Sequence, residues 1–417
     1  MLKALFILAA TSLLAASALP ATAQNDPSTE SRHVYATFRS EDIEWVRKRA
    51  SAGDPTVLPA MAKLKSEADR MLAIKARSVM SKKGIASSED RHDFYAMGKY
   101  SWRDADAPES AYVRRDGARN PEAMDDKYDK KNFNETVRFI NALSLAYSLT
   151  GERRYAQKSA ELIRTWFLDP ATRMNPNFRH AAIQPGVNDG GYGGIIEGVV
   201  LIEMLDYVAL LEGSGALSKS DEDQLKKWFG SLSEWLVTSD FGRSEARMKN
   251  NHGTWYRAQV AAFSLYSGNP ERARSVMATS PDLLTQQFAK DGSLPLELKR
   301  ADGELYSVYG LRAWITLARL SEGLGDSHSL WRIERGGQPI LEKGLLNLGA
   351  RYQKPASSTS GDRRAKIDPY AVQVLRLGAE QYRSSDISAA LVSIADQLPP
   401  TDRRARLLGP VTPPSKN

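Results

Sequence analysis

The sequence predicts an all-α fold built from antiparallel helix hairpins. Three observations predict it. Apolar residues recur at helical spacing through several long stretches. Short clusters of Gly, Asn and Pro break those stretches. No run of alternating β-branched residues persists for long.

Residues 134–168 read as two amphipathic helices split at Thr150-Gly151-Glu152. In the first, Val137, Ile140, Leu143, Ala146 and Tyr147 fall on one face. In the second, Tyr155, Leu162, Ile163 and Trp166 do the same, with the small Ser159 among them. Residues 256–280 repeat the plan around Ser267-Gly268-Asn269-Pro270, where Gly268 fits a helix end and Pro270 a first turn. A third hairpin is expected over 306–332, broken at Gly323-Leu324-Gly325-Asp326. Another helix starts near Ser40, with Glu41, Asp42 and Glu44 in its first turn. A pile of such hairpins closes most simply into a toroid or a solenoid. The longer irregular segments are 80–132, 170–194 and 353–368. In the first, Tyr95, Tyr100, Trp102 and Tyr112 argue for order.

Bulk properties narrow the function. The chain has 417 residues and no cysteine, so disulfide and thiol chemistry are excluded. Lys3, the apolar stretch from Leu5 to Leu14 and the small-x-small Ala21-Thr22-Ala23 give residues 1–23 the pattern of a cleaved export signal. The apolar part is too short to span a bilayer comfortably, so no membrane span is expected after cleavage. Residues 24–397 are expected to form one domain, and 398–417, rich in Pro and Arg, a flexible tail. The net charge of +7 favours a polyanionic partner. Export disfavours nucleic acid, and an acidic polysaccharide meets both constraints. Ordinary surface charge is the plainer alternative.

The chemistry-bearing residues gather in two clusters. Residues 250–256 read Asn-Asn-His-Gly-Thr-Trp-Tyr and contain His252, one of only five histidines. Downstream come Glu297-Leu298-Lys299-Arg300 and Tyr306. Amides, an imidazole and a guanidinium can grip a carboxylate, and a phenol can move a proton beside it. Arg300 and Tyr306 would not share a helix face, so a turn is expected at Asp302-Gly303. Plainer roles stand beside these. His252 alone reads equally as a helix cap, Tyr306 as core beside Tyr309 and Trp314, and Arg300 as a surface partner of Glu297 or Glu304. Trp255, Tyr256, Tyr192, Trp102 and Tyr100 are candidate sugar-stacking rings. Arg114 and Arg115 are candidates for distal carboxylates, and Gln184, Asn188 and Asn250 for lining a cleft. The glycines at 190–194 lack the Gly-Lys-Ser/Thr of a phosphate loop. No histidines pair at metal-ligand spacing, and neither a metal nor any other cofactor is expected.

The sequence resembles the alginate lyase family of polysaccharide lyases over roughly residues 60–345. Four segments carry the likeness. They are Tyr112-Val-Arg-Arg-Asp-Gly117 with Asn120-Pro-Glu122, Trp166-Phe-Leu-Asp-Pro-Ala-Thr-Arg-Met-Asn-Pro176, Asn250-Asn-His-Gly-Thr-Trp-Tyr256, and Pro295-Leu-Glu-Leu-Lys-Arg300 with Tyr306. The resemblance implies an incomplete α/α toroid with a cleft along one end. It implies cleavage of 4-linked uronic acid polymers by β-elimination, without a hydrolytic water. It puts Asn251 and His252 on the carboxylate-neutralising pair, Arg300 on the site arginine and Tyr306 on the catalytic tyrosine. Two departures stand out. Arg257 follows the Trp-Tyr pair where the family often has an acid. Arg179-His180-Ala-Ala-Ile-Gln184 replaces a frequent Tyr-x-Gln segment.

The reaction explains why these residue types are needed. Removing the C5 proton of a uronate places charge on its carboxylate, so donors must already face that group. A tyrosinate suits the base, and a nearby cation is expected to lower its pKa. Arg300, His252 and Lys299 are candidates. Mannuronate and glucuronate hold H5 and O4 on one ring face, where a single tyrosine serves both steps. Guluronate requires two groups, with His252 as base and Tyr306 as acid. Two other functions remain open. A glycoside hydrolase on the same scaffold needs two carboxylates across the cleft. A non-catalytic periplasmic protein that binds acidic polysaccharide needs no Tyr306.

Overall fold

The computed structural model describes residues 33–104, 106–107, 111–353 and 368–411. The expected export signal, residues 1–23, and most of segment 353–368 lie outside the described residues. Helices carry the architecture and strands are short.

Helix α1 (Ser40–Ser51) starts where the sequence suggests, though Arg39 takes the cap position. The Asp42 carboxylate accepts the Arg39 N–H at 2.9 Å and closes the first turn. Helix α2 (Leu58–Leu72) follows. Helices α3 (Lys130–Thr150) and α4 (Arg153–Ile163) form the first expected hairpin, broken at Gly151-Glu152. Small side chains let the two approach, and Ser144 and Ser159 share a hydrogen bond of 2.9 Å across the seam. Then come α5 (Val199–Ala209), α6 (Lys219–Thr238) and α7 (Asp240–Ala246). The second expected hairpin is α8 (Asn251–Tyr266) with α9 (Pro270–Ala278). Asn269 caps α9 by accepting the Arg272 N–H at 3.1 Å. Helices α10 (Ser280–Gln287) and α11 (Pro295–Leu298) lead to α12 (Gly303–Glu322).

The third expected hairpin is only half present. After α12 the chain makes single turns at 326–328 and 330–332 in place of a second helix. The Trp331 indole donates to Glu322 at 2.8 Å and is buried against α12, which folds the segment back too early. Helices α13 (Ile340–Gln353), α14 (Pro369–Tyr382), α15 (Ser385–Asp396) and α16 (Arg403–Arg406) complete the chain.

Two rows of helices result. Helices α3, α5, α8, α12 and α14 pack each on the next as an inner row. The outer row lays α2 and α4 on α3, α6 and α9 on α8, and α13 and α15 on α14. Inner helices are covered on both sides, so they are buried nearly all round, as α12 is from Tyr306 to Ser321. The segment that enters α1 meets α14. The Gln373 amide donates to Thr37 O at 2.9 Å, and Arg39 pairs with Glu380 at 3.0 Å.

The expected flexible tail is instead packed through residue 411. Leu407 and Leu408 are fully buried. The Arg376 guanidinium, on α14, donates to the carbonyls of Leu408 at 2.6 Å, Arg404 at 3.0 Å and Pro410 at 3.0 Å. A composition rich in Pro and Arg suggested solvent, but an inner-row arginine holds its backbone.

Two irregular segments sit over one end of the helices. Strand β1 (Tyr95–Met97) pairs in parallel with β4 (His180–Ile183), which ties segment 80–132 to segment 170–194. Strands β2 (Ser101–Trp102) and β3 (Val113–Arg114) pair antiparallel. Strands β5 (Glu334–Arg335) and β6 (Gln338–Pro339) form a small separate hairpin. Among the described residues, no helix is long and apolar enough to cross a membrane.

Candidate active site

The Asn-Asn-His-Gly stretch is the start of inner helix α8. Asn250 is its cap, accepting the His252 N–H at 3.2 Å. Gly253 is required by a close approach. A Cβ there would stand 1.9 Å from Met248 O in the incoming chain. Asn251 and His252 therefore occupy the first turn, where the helix dipole favours an anion.

Each of the two is gripped by a buried carboxylate. Glu297, on α11, accepts the Asn251 backbone N–H at 2.6 Å and its side-chain Nδ2 at 2.7 Å. Burial pushes the Glu297 carboxyl above its usual range, against the pull of Asn251, Arg300 and His252. Glu245, on α7, lies 2.5 Å from His252 Nδ1.

The second cluster is built by the expected turn. Asp302 caps α12, accepting the Leu305 N–H at 3.3 Å, and so separates Arg300 from Tyr306. The chain thereby doubles back and lays the Arg300 guanidinium on the Tyr306 ring, 3.8 Å from its centre. Asp116 clamps Arg300 through Nε at 2.9 Å and Nη2 at 2.6 Å. The clamp holds the Asp116 carboxyl down at about 2 and keeps Arg300 firmly cationic. Gly117 makes this possible. Its φ is +77°, and a Cβ would stand 2.7 Å from Ala301 Cβ.

The Tyr306 hydroxyl meets the Tyr100 hydroxyl at 2.6 Å. Burial pushes the Tyr306 phenol up, the Tyr100 hydrogen bond adds to the rise, and Arg300 opposes both. The sequence predicts a neighbouring cation that lowers this pKa overall. Desolvation of the phenolate outweighs that cation in the unliganded site. Lys99 lies over the Tyr100 ring at 5.0 Å, and burial draws its ammonium below the usual lysine range.

The remaining candidates separate by burial. Tyr192 is 44% exposed beside the Gly-rich turn and presents a ring to solvent. Arg114 and Arg115 are exposed, and Arg114 lies 3.6 Å from Asp116. Trp102 is half-buried, with its indole donating to Ala118 O at 2.7 Å. Trp255 and Tyr256 are corrections. Trp255 is buried against Tyr309 at 5.1 Å, and the Tyr256 hydroxyl donates to Leu236 O at 3.3 Å. Both point into the helical interior, where no sugar reaches. Tyr100 is likewise buried and engaged with Tyr306, so its ring is no open stacking face. Gln184 donates to Tyr112 O, and Asn188 accepts the Gln184 N–H at 3.1 Å. Those two side chains brace the loop. Arg257, the departure noted above, donates to Ala246 O at 3.1 Å and Gly253 O at 3.0 Å, closing the first turn of α8.

Sequence reasoning passed over Glu245 and Asp116. Nothing local marked Glu245. Asp116 did carry a signal, since it follows Arg114-Arg115 and precedes a glycine.

Comparison with known proteins agrees with this architecture. A family profile described as alginate lyase matches residues 78–357. The crystal structure of an alginate lyase from Bacteroides ovatus is 30% identical, covers 90% of this chain and 98% of its own, and superposes with a TM-score of 0.82. Alginate lyase A1-III, from Sphingomonas species A1, is more distant. Its variant complexed with tetrasaccharide is 14% identical over 85% of this chain and 95% of its own, with a TM-score of 0.51. That variant's apo form is 13% identical over 87% and 97%, with a TM-score of 0.52. At that distance the likeness shows the fold alone. No curated protein matches in sequence. The chain is a polysaccharide lyase with an α/α toroid fold. It belongs to the alginate lyase family.

Proposed function

We propose that the protein cleaves 4-linked polymers of mannuronate or glucuronate by β-elimination, with Tyr306 as both base and acid. One observation carries the reading. The Tyr306 phenol is desolvated, yet its ring is covered by a clamped guanidinium and its hydroxyl is held by a second phenol. That environment suits a group that must take a proton and then return one.

Asn251, His252 and Arg300 face the carboxylate of the bound uronate. They bear the charge that builds there as the C5 proton leaves, and removing one such donor costs about 10²–10³-fold in rate. Tyr306 first releases its own proton to solvent as the donors gather beside it. The tyrosinate then takes the C5 proton, and the C5–H electron pair forms the C4–C5 double bond. The C4–O4 bond breaks, and its electrons leave with O4. Tyr306 then protonates O4, which balances the step without water. Substrate binding brings further charge beside Tyr306, and the donors must outweigh the burial that holds the free phenol protonated. Tyr192, Arg114 and Arg115 serve neighbouring sugars. The pattern of residues 1–23 supports work in the periplasm or outside the cell.

The test is a panel of polymannuronate, polyguluronate and glucuronan, followed by ultraviolet absorbance of the unsaturated product. Absorbance is expected to rise with polymannuronate or glucuronan. Reducing ends without absorbance would indicate hydrolysis. Binding without either would leave a lectin-like protein.

A further inference from the structure

We propose that Glu245 is a positioning residue that acts through His252. Its carboxylate holds the imidazole by Nδ1 and leaves Nε2 as the ring nitrogen offered to substrate. The inference rests on the reading of His252 as a partner of the uronate carboxylate.

The geometry carries it. The Glu245 side chain is fully buried, whereas His252 is 25% exposed. Oε1 lies 2.5 Å from Nδ1, and Oε2 has neither a hydrogen-bond partner nor solvent. A buried carboxylate with one bond is costly unless that bond is charge-assisted. Here its side-chain partner is the imidazole. An ionised carboxylate only accepts, so Nδ1 must carry the proton. The hydrogen bond at one ring nitrogen fixes the state of the other. Neutral His252 then offers a lone pair at Nε2, and protonated His252 offers an N–H there. The second state is the one a substrate carboxylate needs, and in it Glu245 accepts the Nδ1 proton. The Gly-rich turn runs beside the ring, where a Cβ on Gly193 would stand 3.6 Å from His252 Cε1, in ordinary contact. Helix α7 ends at Ala246 and α8 begins at Asn251, so the short link between them fixes the spacing of carboxylate and ring.

The test uses Glu245→Gln, Glu245→Asp and His252→Ala. Nitrogen-15 NMR of the imidazoles, with the His252 signal assigned by its loss in His252→Ala, reads the tautomer without substrate. The unmodified protein is expected to show proton density at Nδ1. In Glu245→Gln either end of the amide can face Nδ1, so the tautomers should mix. That variant should lose about 10–100-fold in kcat with a smaller change in KM, the loss typical when a carboxylate orienting a metal-bound histidine is removed. Glu245→Asp should recover part of it. In the His252→Ala background, Glu245→Gln should add no further loss, because Glu245 acts through the ring. A purely structural role predicts additive losses. Proton density at Nε2 alone in the unmodified protein, or full kcat in Glu245→Gln, overturns the proposal. If Glu245→Gln does not fold, the tautomer and the Glu245→Asp kinetics still decide. If the unmodified protein eliminates no uronate polymer, the functional reading falls, while the tautomer measurement judges Glu245 by itself.

Discussion

The hydroxyls of Tyr100 and Tyr306 lie 2.6 Å apart, although 206 positions separate them in sequence. Tyr100 comes from the irregular segment above the helices, and Tyr306 from the first turn of α12. The pair therefore joins cover to scaffold at the point where the proton is expected to move. Tyr306→Phe should lose nearly all turnover, since a positioned acid–base group contributes about 10²–10⁴-fold and here serves twice. Substrate affinity should survive. Tyr100→Phe leaves the base in place and should cost less in kcat. Product absorbance and equilibrium binding to the same polymer check both. Near-native turnover in Tyr306→Phe would sink the mechanism.

The Asp116–Arg300 clamp should leave a signature in acid. Arg300 holds the Asp116 carboxyl at about 2, below its ordinary value of 3.8. A depressed folded-state pKa gives stability that is fully present above the unfolded value. That stability is lost as pH falls through the folded value. The unfolding midpoint of Asp116→Asn should therefore lie below that of the unmodified protein by a constant gap above about pH 4. The gap should close between there and pH 2. Thermal unfolding across this range reads it. A gap that persists at pH 2 would show that Asp116 acts by shape and not by charge.

Glu297 supplies a third prediction. It satisfies both the backbone N–H and the amide of Asn251, at 2.6 and 2.7 Å, in a site without solvent. Glu297→Leu strands two buried donors, each costing about 1–3 kcal/mol. Its unfolding midpoint should drop, and kcat should fall because the Asn251 amide loses its orientation. Glu297→Gln keeps one acceptor and should lie between. Equal stability of the leucine variant and the unmodified protein would mean that Asn251 finds other partners.

Much of the fold was legible because its signals are local. The breaks at Gly151-Glu152 and at Ser267-Gly268-Asn269-Pro270 depend on cap chemistry within a few residues. The turn at Asp302-Gly303 was legible for the same reason. What escaped was set by distant partners. Arg300 pairs with Asp116, 184 positions away, and not with Glu297 or Glu304 beside it. Trp255 follows His252 closely, yet helix geometry turns it inward while His252 stays partly exposed. The phenol of Tyr306 is governed by a burial that no spacing encodes. The packed segment after Leu398 escaped because an arginine on α14 supplies what its own composition lacks.

That packed segment yields the last prediction. Glu203, on inner helix α5, is buried and accepts from Arg312 at 3.3 Å, from Arg404 at 3.0 and 3.2 Å, and from the Tyr370 hydroxyl at 3.1 Å. Both guanidinia also lie over the Tyr370 ring, at 3.5 and 3.9 Å. Burial alone would raise the Glu203 carboxyl, but Arg404 and Arg312 outweigh it and hold the group below its usual range. Its stabilisation is therefore present at neutral pH and is lost only as acid protonates it. Glu203→Ala strips two arginines of their buried partner, which typically costs about 3–5 kcal/mol. The loss should appear first at the C-terminal end, because the Arg404 side chain ties α16 to the inner row through Glu203 and Tyr370. Hydrogen exchange should quicken across 398–411 and α14 before the α3–α4 hairpin responds. Uniform quickening across the chain would show instead that the cluster supports the whole inner row.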